Sequence, residues 1–192
     1  MEKRMKKAIL ISLSVAALVY TLWYMHFGSL TDNSGALSTT GLSHPVAFTI
    51  WGVLTFAALY SNILYAYGEL PRKRKFQYVL CGVSAVGMVL TLACDFDYAK
   101  RTEFYIHCAG ALTFSVLTGT CVFVLFLLNY KKSRLYAAFT YIIGAILIAD
   151  LILLIIFNEN ALIETVPVIF ALITLPIVNL TDLFKEKAYA SR

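Results

Sequence analysis

Residues 136–157, YAAFTYIIGAILIADLILLIIF, hold a single charged side chain, Asp150, in 22 positions. At about 1.5 Å per residue, a helix of this length crosses a hydrocarbon layer of ~30 Å. Its apolar residues fall on every side rather than in one stripe, the pattern of a buried or membrane-spanning helix. Five further runs read the same way, roughly 8–27, 46–68, 77–94, 106–128 and 165–184. None shows the period-two alternation of a membrane β-barrel, so each segment must satisfy its backbone hydrogen bonds as a helix. The fold class is therefore all-α: one polytopic integral membrane domain over residues 1–192 with six transmembrane helices.

Composition points the same way, because 60% hydrophobic and 14% charged residues in a 192-residue chain exceed what a soluble core of that size hides. The cations set the expected orientation. Lys3, Arg4, Lys6 and Lys7 precede the first span, and Arg72, Lys73, Arg74 and Lys75 follow the second. Lys131, Lys132 and Arg134 follow the fourth, and Lys185, Lys187 and Arg192 lie beyond the sixth. Alternate connectors thus carry fourteen of the sixteen Lys and Arg, which predicts cytoplasmic termini (N-in/C-in) in the plasma membrane. The net charge of +5 then marks a face beside anionic headgroups, so the expected partner is membrane lipid and no nucleic acid. The opposite face carries Asp32, Asp95, Asp97, Glu103, Glu159 and Glu164 against Lys100 and Arg101. The opening MEKRMKK and the run after it read as an uncleaved first span. The connector GSLTDNSGALSTTGLSHP, 28–45, reads as a flexible outer loop, with a folded flap as the alternative.

Functional candidates gather in ACDFDYAKRTEFYIHCAGA, 93–111, between the third and fourth spans. In an antiparallel hairpin turning near Arg101, residues whose numbers add to about 202 share a depth. That pairs Asp95 with His107, Cys94 with Cys108, and Cys81 with Cys121. Ser84, Thr91 and Asp95 fall on one helical face with Gly87 nearby, and His107, Gly110, Ala111 and Phe114 share another. The expectation is a pocket in which Asp95 meets His107. His26, His44, Asp32 and Asp97 lie at the same end, and Asp150 about 10 Å deeper by helical rise. An ionisable group at that depth needs a partner, a cavity or water.

Three chemistries suit these residues. The first is an outward-facing pocket for a lipid or small amphiphile, formed by His26, Asp32, His44, Asp95, His107 and Asp150, in a sensor, carrier or assembly factor. The second is a membrane hydrolase acting on a lipid amide or ester. Zinc is its possible cofactor, held by His44, Asp95 and His107, with Asp97 or Asp150 as general base. The third is a haem protein with His44 and His107 as axial ligands. Cys94 and Cys108 stand open between a disulfide and two packed thiols. Enzyme and non-enzyme readings both remain at this point.

With SLTD at 29–32, HPVAFTIWG at 44–52 and an Asp followed by HCAGALTF at 107–114, the chain resembles the small six-span membrane proteins of the DRAM, Frag and Sfk type and their bacterial relatives. The resemblance implies a six-helix bundle with a Ser/Thr-Asp segment outside after the first span and an outer His opening the fourth. It also implies an outer face that handles lipid or a lipid-linked molecule. More distantly the chain is similar to the seven-span hydrolases that include alkaline ceramidases, whose His and Asp residues hold zinc. The seventh span and HxxxH pair of those enzymes are missing here.

Overall fold

A computed structural model describes residues 2–70 and 75–180. The expectations for Arg72, Lys73, Arg74, Lys185, Lys187, Arg192 and the 181–184 end of the last span lie outside the described residues. Seven α-helices follow one another: α1 Glu2–Tyr24, α2 Leu37–Ser43, α3 Pro45–Gly68, α4 Lys75–Ala93, α5 Arg101–Asn129, α6 Arg134–Phe157 and α7 Ala161–Leu180. Six of them are long and apolar enough to cross a membrane, and α2 is the short exception. Among the described residues there is no strand.

Helix ends follow local chemistry. Pro45 starts α3, where its missing N–H costs nothing. The Ser133 hydroxyl caps α6 by accepting from Tyr136 N at 3.2 Å, and the Asn160 side chain does the same for Ile163 N at 3.0 Å in α7. Between these helices Asn158 takes φ 59°, a left-handed value that Asn tolerates better than most residues, and the chain reverses within three residues.

The helices form a closed ring in which α3 also reaches α7 and α5: α1 packs on α3 and α7, α3 on α4, α4 on α5, α5 on α6, and α6 returns to α7. The tightest seam joins α4 and α5. A Cβ on Gly110 would stand 2.7 Å from Gly87 O, and one on Gly87 would stand 2.8 Å from Gly110 O, so the two backbones touch where no side chain fits. The expected faces meet there: Ser84 bonds Thr118 at 2.9 Å, and the Cys81 and Cys121 sulfurs lie 3.8 Å apart. On the other side of the ring a polar cluster ties α1, α3 and α7. Asn62 donates to Ser14 Oγ at 3.0 Å, and Asn179 donates to both the backbone and side-chain oxygens of Asn62 at 3.0 Å.

The outward helix faces are as apolar as the interior, with Val19, Val89, Ile148 and Ile155 all more than half exposed. At one end of the bundle, here called the cap end, the 25–44, 94–100 and 158–160 connectors gather.

Candidate functional site at the cap end

The 28–44 segment is folded, which corrects the expectation of a flexible loop. Its Ala36 and Leu37 are buried to 1% and 2% exposure. Gly35 packs where a Cβ would overlap the Ser29 backbone, so only glycine lets this segment double back on itself. Ties to distant helices hold it. Leu37 N donates to Glu164 Oε2 at 2.5 Å, Tyr24 donates its hydroxyl to Leu37 O at 3.0 Å, and Leu162 N donates to Leu30 O at 3.3 Å. The Asn33 amide, oriented to satisfy its surroundings, donates to Phe157 O and Glu159 O at 3.1 and 3.0 Å.

Beneath this cap lies His107, 1% exposed. Its Nδ1 is 2.8 Å from Cys94 O and its Nε2 is 2.9 Å from Ser38 Oγ. A carbonyl only accepts, so Nδ1 carries the proton. In the neutral imidazole Nε2 is then the bare nitrogen, and Ser38 donates its hydroxyl to it. Phe48 and Phe96 flank the ring, with centroids 6.0 and 5.2 Å away.

The expected Asp95–His107 contact is not made. Helix α4 ends at Ala93, so Asp95 leaves the buried face that Ser84, Gly87 and Thr91 share. Its exposed carboxylate pairs with Lys100 Nζ at 2.8 Å, which raises the lysine above its ordinary range. The Cys94 carbonyl, one residue earlier, takes the imidazole instead.

The other candidates are dispersed. His44 is exposed and stacks on Phe27 at 4.5 Å. His26 is exposed, with Nδ1 2.6 Å from Leu22 O. Asp32 closes a local turn through the Ser34 backbone N at 3.2 Å and its hydroxyl, and these bonds hold its carboxyl below the ordinary range. Asp97 forms a turn of its own, accepting from Ala99 N at 2.9 Å. Asp150 is half-buried on α6, within electrostatic range of Glu164. Among the described residues no three His, Cys, Asp or Glu converge as a metal set. His44, Asp95 and His107 each have separate local partners. Cys94 and Cys108 are both free thiols.

Next to the cap lies a cavity of about 470 Å³. Asn33, Ala36 and Thr39 of the cap form one wall, and Leu154, Asn158 and Glu159 form another. Phe96, Tyr98 and Phe104 form the third, as three rings in mutual contact at 4.5–5.5 Å. Glu159 is half-buried and burial raises its carboxyl above the ordinary value of 4.5. Lys100, a cation of the cap end, is taken by Asp95 and Glu103 rather than by Glu159.

Sequence reasoning placed Glu159 and Glu164 on the acidic face without giving either a role, and it passed over Ser38, Asn33 and Tyr24. Glu164 carried one local signal, an acid in the first turn of a helix. No family model, curated protein or solved structure matches the chain, so its chemistry rests on these side chains.

Proposed function

We propose that this is a multi-pass plasma-membrane protein with cytoplasmic termini, whose cap-end cavity faces outside and binds a lipid or small amphiphile through a cationic headgroup. The cavity wall carries the proposal: three aromatic rings and one half-buried carboxylate, with no cationic partner among the described residues, surround the same space. Ring faces attract an ammonium group, and a partly desolvated carboxylate gains most from a cation that replaces lost water. The Asn33, Thr39 and Asn158 side chains add hydrogen-bonding groups, and Leu154 adds an apolar edge on α6, where a tail would meet the apolar exterior. The resemblance to the DRAM, Frag and Sfk type supports the same outer-face role in lipid handling.

The zinc-hydrolase and haem readings draw less support. Both need an imidazole nitrogen of His107, and both nitrogens are already engaged with Cys94 and Ser38.

Thermal shift of the purified chain with hexyltrimethylammonium, hexanol or hexyl sulfate tests the reading. The ammonium compound alone is expected to raise the melting temperature, and Glu159→Gln to abolish the rise. Binding should weaken as pH falls, because protonation removes the charge, and the midpoint should lie above 4.5, since burial raises Glu159. Equal shifts from all three compounds would reject the cationic headgroup.

A further inference from the structure

We infer that Ser38 is a nucleophile activated by His107, giving the cap end an acyl-transfer activity toward an ester or amide of an amphiphile. The inference relies on the cavity reading only for how substrate arrives. Its basis is the direction of the two hydrogen bonds. The Cys94 carbonyl fixes a proton on Nδ1, so in the neutral ring Nε2 accepts from Ser38 Oγ across 2.9 Å. This is the arrangement of a nucleophile, its general base and a group that orients the base. The orienting group is a neutral carbonyl, so no second charge is buried beside the ring.

The pair also adjoins the cavity. Ala36 and Thr39, on either side of Ser38 in the chain, line the space, and Phe96 both lines it and packs against His107. Ser38 itself is 8% exposed.

In the first step Ser38 Oγ bonds to the acyl carbon while its proton passes to His107 Nε2. The carbon–oxygen or carbon–nitrogen bond to the leaving group then breaks, and the leaving group takes that proton. Water attacks the acyl-serine next, giving a proton to Nε2 that returns to Ser38 Oγ as the acid departs. Atoms and charge balance with water as the only co-reactant.

Phenylmethanesulfonyl fluoride reports on the nucleophile directly, because serine attack forms an Oγ–S bond and expels fluoride. Peptide mass spectrometry of the full chain is expected to find the adduct on Ser38, and to find none in Ser38→Ala. His107→Gln should slow labelling roughly a hundredfold or more, the scale of a lost general base. If that variant does not fold, the pH profile of the wild type replaces it: labelling must rise as the imidazole loses its proton, and a flat profile overturns the inference. No adduct on Ser38, or equal labelling of Ser34 and Ser43, also overturns it. The reagent carries no cation, so a Ser38 adduct without any ammonium thermal shift would reject the headgroup reading and leave the nucleophile standing.

Discussion

His107 and Asp95 show how solvent decides between two partners of similar reach. A carboxylate drawn under the cap would lose its hydration, whereas at the surface it keeps water and gains Lys100. The buried imidazole needs an acceptor for Nδ1–H, and the Cys94 carbonyl supplies one without a charge. Asp95→Asn and His107→Gln are therefore expected to be additive in thermal stability, within about 0.5 kcal/mol. Ser38→Ala and His107→Gln share a hydrogen bond and should show coupling of about 0.5–1.5 kcal/mol. Urea melts of the three single and two double variants check both cycles. Strong Asp95–His107 coupling would mean that the carboxylate turns inward in solution.

Among the elements, the α4–α5 hairpin was the most legible. Equal-depth counting requires only an antiparallel turn, and helical spacing requires only period 3.6, so Ser84, Gly87, Gly110 and Phe114 could be placed on the seam from local pattern. Gly110→Ala should destabilise by about 1–3 kcal/mol, because the new methyl meets backbone at 2.7–2.8 Å and the helices must separate. Gly82→Ala meets nothing within 4 Å, and should be neutral or stabilising by up to about 1 kcal/mol through helix propensity. Thermal denaturation of the two variants side by side checks the contrast. The cap was illegible for the opposite reason. Its Gly, Ser and Thr residues have the composition of a loose connector, and what orders them lies far away in the chain, as when Leu37 N meets Glu164 across 127 positions. The Ser38–His107 bond has the same origin, spanning 69 positions. Asp95 was misplaced because its stripe was extended one turn beyond Thr91, past the end of α4 at Ala93.

At the scale of the whole molecule, the ring of six apolar helices separates a cap end from the end where Lys75, Lys131 and Lys132 lie. The proposed orientation predicts that, in a variant without native cysteines, Thr31→Cys is labelled by an impermeant maleimide in intact cells. A Lys132→Cys variant should be labelled only after permeabilisation. Thr31 is the suitable reporter because it is exposed, whereas Ser38 is enclosed. The reverse pattern would invert the protein and turn its cavity toward the cytoplasm. The Asn62 cluster bears on how such a ring is completed. Ser14 and Asn62 are both made before Asn179, which donates twice to Asn62 and belongs to α7. Until α7 arrives, a growing chain holds the side-chain acceptor oxygen of Asn62 open in an otherwise oily seam. An unfinished copy therefore differs from a finished one by an unmet polar demand at its centre, a chemical mark by which a cell's quality control can tell them apart.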